Sequence, residues 1–543
     1  MPSPSARQPE PQPGLIHRLP AHWAARTPDG EALAFEGHRW SWRQLADRTD
    51  RLRGALRTLG VRRGDRVAYL GRNDPACLET FLAAAGAGAA TAVLNWRLAP
   101  AELAYVVADS GARVLLADTG RAAAARTALA ALPDPPRLVV TGGADDTDGT
   151  ADEPGTAYEP LLARAEPLPP APDTAPDDTC LVLYTSGTTG FPKGAELTHR
   201  SLLSSCAALL SQVPFGPEDR NLVALPLFHV GGIGYALGGL FTGRPTELLR
   251  APAPEAICRA VDEGATHLLL VPAMLPGVLR AGTEHTAAFA RLRHCLYGAS
   301  PMPLPLLREA LSRFPDVRFV QVYGMTELSG AVTALDHATH RDPRQSHRLA
   351  SAGRPLPGVE TRVADPATGA AVPPGRTGEL RVRTHQRMKG YLGRPEATAE
   401  TVTEDGWLRT GDVVRVDDEG FVFVEDRLKD LIISGGENVY SAEVERVLVE
   451  HPAVAEAAVI GVPDEKWGES VLAVVAVRDG ARIEESGLDA FCRTHLAGYK
   501  CPRGVAVVDG LPRNAAGKVD KNALRAAHGA VERVPRQLPR QPR

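Results

Sequence analysis

The stretch Leu181-Val182-Leu183-Tyr184-Thr185-Ser186-Gly187-Thr188-Thr189-Gly190-Phe191-Pro192-Lys193-Gly194 decides how this chain is read. An apolar run with β-branched and aromatic members stops in Gly, Ser, Thr and one Lys, as a strand does when it feeds a phosphate-holding loop. Glycines let backbone N–H groups approach phosphate oxygens, hydroxyls add donors, and lysine adds charge. The spacing is not G-x-x-x-x-G-K-[ST]. Counted from Gly187, Pro192 stands where the second Gly belongs, and Gly194 follows Lys193. This is a nucleotide loop of another lineage, with a plain Gly-rich surface turn as the alternative.

Outward from the loop, short apolar runs at Val67–Leu70, Val114–Ala117 and Leu138–Thr141 alternate with Ala/Leu segments of helical period. That alternation predicts an α/β domain with a largely parallel sheet. Leu45, Thr49, Leu52, Leu56 and Leu59 predict an amphipathic helix between Trp42 and Gly60. Phe81 to Leu94 is apolar but too short to span a bilayer and reads as a packed helix and strand. Residues 142–178, rich in Asp, Gly, Pro and Ala, read as a solvated loop with little structure. Further strands are expected at Leu268–Val271, Phe319–Tyr323, Leu380–Val382 and Phe421–Val424. After the charged joint Glu425–Asp430, helices near 441–450 and 521–527 and strands near 457–460 and 472–477 read as a compact α+β module.

At 543 residues the chain exceeds a single core, so two or more domains are expected. Its 44% hydrophobic and 23% charged residues are ordinary for a soluble globular protein. A net charge of −4 provides no global attraction to nucleic acid or an acidic membrane, so an anionic substrate must meet local positive charge. The seven cysteines are scattered without a C-x-x-C pair, which points to packed thiols in a reducing cytoplasm rather than zinc or a disulfide framework. The N-terminus lacks the apolar core of a signal peptide, and no integral membrane association is expected.

Tyr184–Gly194 resembles the signature of the adenylate-forming superfamily: acyl-CoA synthetases, aryl-CoA ligases, peptide-synthetase adenylation domains and beetle luciferases. Later segments match it in order, between about residues 15 and 526. The resemblance implies an α/β fold. A large N-terminal domain, 15–426, would have mostly parallel sheets flanked by helices. A small mobile α+β domain, 427–528, would follow, with tails 1–14 and 529–543 disordered.

It also implies a chemistry. A carboxylate is a poor electrophile; conversion to acyl-AMP removes its charge and installs a leaving group. Thr185, Ser186, Gly187, Thr188, Thr189 and Gly190 would cradle the β- and γ-phosphates with Lys193, and Thr185 and Glu327 would hold Mg²⁺. Glu327 closes Gln321-Val322-Tyr323-Gly324-Met325-Thr326-Glu327, which is similar to the family's Tyr-Gly-x-Thr-Glu segment. There Tyr323 would stack near adenine and Thr326 would reach the α-phosphate, with Gln321 and Gly324 beside the nucleotide and Val322 beside the acid. Gly298-Ala299-Ser300 resembles the loop whose backbone faces adenine. Asp412, in Gly406–Asp412, would accept both ribose hydroxyls, supported by Arg427. Lys518, in Pro512–Lys518, would be the catalytic lysine, although Ala515 and Ala516 stand where the family usually has a hydroxyl residue.

Lys429 would be the hinge, and Gly435-Gly436 would admit the pantetheine arm of CoA. Ser441 replaces a common Pro and is expected to cap a helix. His229-Val230-Gly231-Gly232 would line the acid pocket, with His229 as an aromatic gate and the glycines leaving room for a chain or ring. No Asp stands in Leu225–Gly232 to pair an α-ammonium, which disfavours amino acids. Lys500 and Arg503 could meet the CoA nucleotide, and His337–Arg348 reads as an exposed basic loop.

The implied function is ATP-dependent activation of a small or medium carboxylic acid, aliphatic or aromatic, to acyl-AMP and then acyl-CoA. ATP, Mg²⁺ and CoA are its cofactors, and a homodimer is left open. The alternative is a biosynthetic ligase that uses a carrier-protein thiol or an amine, or that activates an unusual acid such as nitrite. A nucleotide-binding scaffold without chemistry is the third reading, opposed by the joint presence of Thr185, Glu327, Asp412 and Lys518.

Overall fold

The computed structural model describes residues 14–142, 157–185, 192–434, 437–478, 480–514 and 517–528. The chain divides into two compact units. The larger comprises Met1–Arg362, Arg381–Thr410 and Val416–Phe423; the smaller comprises Val363–Leu380, Gly411–Arg415 and Val424–Arg543. Segments 363–380 and 411–415, read from sequence as part of the large domain, thus group with the smaller unit. The expected tails lie almost wholly outside the described residues, as do 143–156 of the expected long loop.

The larger unit is built on two mixed sheets. The first runs in the order 390–391, 193–198, 179–185, 90–94, 66–70, 114–118, 137–141. The strands from 179–185 to 137–141 are mutually parallel. Arg66–Leu70, Ala90–Leu94 and Val114–Asp118 are buried along almost their whole length, as continuous apolar runs must be when helices cover both faces. The second sheet has nine strands, with the parallel set 318–325, 294–298, 267–270, 221–223, 246–248 and 31–35 inside antiparallel edges.

The predicted amphipathic helix is Trp42–Thr58. Ser41 caps it by accepting the Gln44 N–H, and the Gln44 side chain accepts the Ser41 N–H in return. Its Leu45, Thr49, Leu52 and Leu56 face the core. Helix Pro75–Gly86 is buried all round, which accounts for the apolar Ala-rich run without a membrane. Among the described residues no helix is long and apolar enough to cross a bilayer.

The structure corrects two expectations. Within the predicted loop 142–178, Tyr158–Arg164 is a helix; Tyr158 donates to Glu79 Oε2 at 2.5 Å and Leu162 is buried. The basic stretch 337–348 is not a plain exposed loop. Helix His337–Arg341 and 3₁₀ segment Pro343–Ala350 bury His340 and Arg348. Arg341 donates to the Leu311, Phe314 and Val317 carbonyls at 2.7, 2.7 and 3.1 Å, so its charge serves a helix C-terminus.

The smaller unit holds strands 437–439, 432–434, 468–477, 454–464 and 504–508 with helices Ser441–Glu450, Glu485–His495 and Lys521–His528. Strands Val454–Asp464 and Gly468–Val477 form a long antiparallel hairpin whose turn is fixed by Asp464 Oδ1, accepting the Lys466 and Trp467 N–H groups at 3.0 Å. Val444, Leu448, Val459, Val471, Val475, Leu488 and Cys492 form its core.

Burial sets an acid limit on the larger unit. It draws the His17 imidazole down to about 3, and His199 and His340 to about 4. An unfolded histidine titrates near about 6.5, so below that pH the unfolded chain takes up protons that the folded chain refuses. Stability from these groups is complete above about pH 6.5 and is lost as pH falls toward about 4 for His199 and His340 and about 3 for His17. Thermal melts of wild type should show Tm falling through that window, and His340→Gln should flatten part of the slope; a pH-independent Tm would contradict this.

Candidate functional site

The phosphate-type loop is the connection of an antiparallel pair. Thr179–Thr185 leaves the parallel sheet, and Lys193–Thr198 returns beside it with Thr185 opposite Lys193. Thr185 Oγ1 lies 3.5 Å from the Lys193 carbonyl oxygen. Ser186, Gly187, Thr188, Thr189 and Gly190 lie outside the described residues. The hairpin base is anchored by Tyr184, which donates to Asp109 Oδ2 at 2.9 Å, while Arg394 binds Asp109 Oδ1 at 2.6 Å and the Tyr105 hydroxyl at 3.2 Å. Burial pushes the Tyr184 hydroxyl well up, so it serves as a donor.

The returning strand pairs on its other side with Gly390–Tyr391. That pairing brings two expected site residues onto one aromatic ring. Lys193 Nζ stands 5.4 Å from the Tyr391 ring centroid, and the Tyr391 hydroxyl donates to Glu327 Oε1 at 2.9 Å. Glu327 is buried in the 3₁₀ turn Thr326–Leu328, and its carbonyl accepts the Met388 N–H at 2.8 Å. Burial and the neighbouring Glu327 carboxylate raise the Tyr391 pKa, which keeps the phenol protonated and donating. Tyr391 was missed in the sequence; its only signal is an aromatic residue directly after Gly390, and its partner lies 64 positions away.

Gly298 and Gly324 lie at the C-terminal ends of neighbouring parallel strands His294–Gly298 and Arg318–Met325, the edge at which open α/β sheets take ligands. A Cβ on Gly298 would stand 2.3 Å from the Val322 carbonyl oxygen, and one on Gly324 would stand 1.8 Å from that of Gly330. Only glycine permits these backbone approaches. Ala299 takes φ +66°, and Ala299 and Ser300 are exposed beyond the strand end. Gln321, Val322, Tyr323 and Thr326 are half-buried along the same edge. Behind it, His340 Nδ1 meets the Asp336 carbonyl at 2.7 Å, which leaves Nε2 to accept the Tyr297 hydroxyl at 2.8 Å. The Tyr297 hydroxyl also lies 3.4 Å from Gln321 Oε1.

His229 is the N-cap of helix Val230–Thr242, with its ring 4.3 Å from that of Phe228. Of the glycines after it, Gly232 also has a packing task. A Cβ on Gly232 would stand 2.1 Å from the Pro226 carbonyl oxygen, so Gly232 lets the helix start against the preceding backbone. Next to Phe228, Trp96 receives the guanidinium groups of Arg72, Arg97 and Arg121 at 5.3, 5.0 and 4.6 Å, a cationic edge that the sequence reading missed because its members follow three different strands.

In the smaller unit, buried Asp412 pairs through Oδ1 with Arg427 Nε at 2.6 Å, which joins the two residues assigned to the ribose. Lys429 is exposed in the 3₁₀ turn Leu428–Asp430. Gly435 and Gly436 lie outside the described residues. Beside them Ser434 Oγ accepts from Arg503 Nη1 at 3.0 Å, and the Arg503 guanidinium lies 4.2 Å over the Trp467 ring. Lys500 pairs with Glu443 at 2.7 Å. Lys518 is exposed at a tight turn; its N–H donates to Asn514 Oδ1 at 3.1 Å and its carbonyl accepts the Asn514 N–H at 2.8 Å, with Gly517 at φ +79°.

The donor set fits Mg²⁺ carried with a nucleotide. Glu327 and Thr185 offer hard oxygens, and among the described residues no group of three or more His, Cys, Asp or Glu could hold an ion alone. Such an ion would draw its remaining ligands from phosphate and water, as Mg²⁺ does.

A family model described as AMP-binding enzyme matches residues 20–392, and one described as AMP-binding enzyme C-terminal domain matches residues 443–518. A feruloyl-CoA synthase of an Amycolatopsis species is 42% identical over 512 residues, covering 94% of this chain and 98% of that protein. The fatty acid–[acyl-carrier-protein] ligase ScoC of Streptomyces coeruleorubidus is 37% identical over 507 residues, covering 92% and 94%. The crystal structure of ATP-bound MatB from Rhodopseudomonas palustris superposes with a TM-score of 0.85 at 31% identity, covering 95% of this chain and 99% of that one. The chain belongs to the AMP-binding enzyme family. It is an adenylate-forming, acyl-CoA synthetase-like ligase, with ATP, Mg²⁺, CoA and a small carboxylic acid as its reactants.

The glycine packing gives a paired test. Gly232→Ala should lower stability by about 1–3 kcal/mol, since backbone must move to admit the Cβ. Gly231→Ala meets Leu225 Cδ1 at 3.3 Å, a side-chain atom able to turn aside, and should cost less than about 1 kcal/mol. Equal urea midpoints for the two variants would contradict this placement.

Proposed function

We propose that this ligase activates an aryl or arylpropenoic acid and transfers it to CoA. The observation that carries the nucleotide half is the Lys193–Tyr391–Glu327 chain. It holds a cation over the ring and a buried carboxylate at the hydroxyl of one phenol, beside the antiparallel pair Thr179–Thr185 and Lys193–Thr198. The 42% identity to a feruloyl-CoA synthase over 94% of the chain supports the acid class.

In this reading Thr185, Ser186–Gly190 and Lys193 bind the β- and γ-phosphates, and Thr185 and Glu327 hold Mg²⁺, which neutralises charge on the departing pyrophosphate when bound. Gly298, Ala299, Ser300, Gln321, Tyr323 and Gly324 receive adenine, Thr326 the α-phosphate, and Asp412 with Arg427 the ribose. His229, Val230, Gly231, Gly232 and Val322 line the acid. A carboxylate oxygen attacks the α-phosphorus, the bond to pyrophosphate breaks, and Lys518 stabilises the charge on the transferring group. The CoA thiol then gives its proton to solvent, its sulfur attacks the acyl carbon, and the acyl–oxygen bond breaks to release AMP. Lys429 is the hinge between residues 15–426 and 427–528, Gly435-Gly436 admits pantetheine, and Arg503 on Trp467 receives the CoA nucleotide beside Ser434.

A carrier-protein thiol is the second acceptor to test, favoured by the 37% identity to a carrier-protein ligase. We further propose that the enzyme works in the cytoplasm, in keeping with seven free, buried cysteines.

Pyrophosphate release with a panel of hydroxycinnamic, benzoic and medium-chain fatty acids tests the proposal, with products weighed by mass spectrometry. Expected are acid-dependent release, highest with arylpropenoic acids, an acyl-CoA product, and loss of about 10²–10³-fold in release on Lys518→Ala. Release with fatty acids alone would overturn the acid class, and release unchanged in Lys518→Ala would overturn the role of that lysine.

A further inference from the structure

Helix Lys521–His528 starts just after Lys518 and is tied to the joint 426–430 at two points, once through Ser441 and once directly, all within the smaller unit. At the first, Lys521 Nζ donates to Ser441 Oγ at 2.5 Å and lies 2.8 Å from Glu445 Oε1. Ser441 is fully buried; its hydroxyl donates to Asp426 Oδ1 at 2.9 Å and its backbone N–H binds Asp426 Oδ2. A serine hydroxyl has one proton and two lone pairs; here the proton goes to a carboxylate and a lone pair takes an ammonium. Asp426 Oδ1 also accepts the Arg427 N–H at 2.8 Å, and Glu445 Oε1 accepts the Val459 N–H at 2.8 Å. Ser441 is therefore not the helix cap expected from sequence; Tyr440 holds that position, and the Ser441 side chain is a relay.

At the second point, one helical turn on, Arg525 Nη2 meets Asp430 Oδ1 at 2.8 Å. Leu524 between them is buried with Ile460, Val462 and Leu472, so this face of the helix cannot roll without unburying it. Toward the N-terminus the helix leads straight into the Lys518 turn, which is closed by the Asp520 N–H on the Pro512 carbonyl at 2.8 Å.

We propose that Lys521 and Ser441 are positioning residues, and that the Asp426–Ser441–Lys521 relay makes this helix a strut fixing the Lys518 turn relative to Arg427–Lys429. The proposal rests on the reading of Lys518 as the adenylation lysine. Removing the Lys521 ammonium leaves Asp426 and Glu445 as nearby carboxylates without their shared cation, so the strut loosens where it meets the joint. A merely stabilising contact would slow both half-reactions alike. A strut that aims Lys518 slows only the half-reaction that uses it.

The test measures acid-dependent ATP–pyrophosphate exchange and thioester formation from the supplied acyl-adenylate separately, on the full chain, with the panel acid that wild type turns over fastest. Lys521→Met should lower kcat for exchange about tenfold or more, with KM for ATP within about twofold and thioester formation within about threefold of wild type. Ser441→Ala should show the same split and Ser441→Thr, which keeps the hydroxyl, should restore exchange; this pair decides the matter if Lys521→Met fails to fold. Equal losses in both half-reactions, or exchange unchanged in Lys521→Met and Ser441→Ala, overturn the proposal. Exchange unchanged in Lys518→Ala overturns the underlying reading of the site instead.

Discussion

Strand Lys193–Thr198 runs antiparallel to both of its neighbours, and the larger unit's candidate site depends on that double pairing. On one side it pairs with Thr179–Thr185, so Thr185 and Lys193 stand opposite each other. On the other it holds Gly390–Tyr391, and with it the phenol that reaches Glu327. A hydroxyl, a cation and a buried carboxylate thus take their places from backbone hydrogen bonds rather than from loop conformation. Backbone pairing of this kind has little freedom, which is what a site handling a highly charged nucleotide requires.

The same economy explains how a chain with a net charge of −4 can receive anions. Positive charge is gathered locally: Lys193 over Tyr391, three guanidinium groups on Trp96, and Arg503 on Trp467. Aromatic rings hold these cations without neutralising them, whereas Lys500 and Arg341 are spent on a carboxylate and on helix carbonyls.

Much of this was legible in the sequence, and physics separates the parts that were from those that were not. Val67–Leu70 and Val114–Ala117 were readable because central parallel strands are apolar on both faces. The strand that ends at Thr185 was readable from its apolar run, but its antiparallel return at Lys193–Thr198 was not, since no pattern in Lys193–Thr198 names its partner. The pairing of Tyr391 with Glu327 and of His340 with Tyr297 was not, since each joins residues far apart in the chain whose types alone say nothing about a partner. Gly232 shows a subtler limit: a missing Cβ reads equally as room for a substrate or as room for backbone, and the need set by the Pro226 carbonyl is invisible in the sequence. Ser441 was misread for the same reason, because a serine at a helix start has a default role that the buried Asp426 overrides.

The central claim is that Glu327, held by Tyr391, completes a site for magnesium-bound ATP. Titration calorimetry of the folded chain with ATP and Mg²⁺, repeated for Glu327→Gln, tests it most directly. The account predicts Mg²⁺-dependent ATP binding by wild type and about tenfold or greater weakening in the variant, in line with loss of a charged ligand. Absence of ATP binding by folded wild type, or equal affinity in Glu327→Gln, would contradict it.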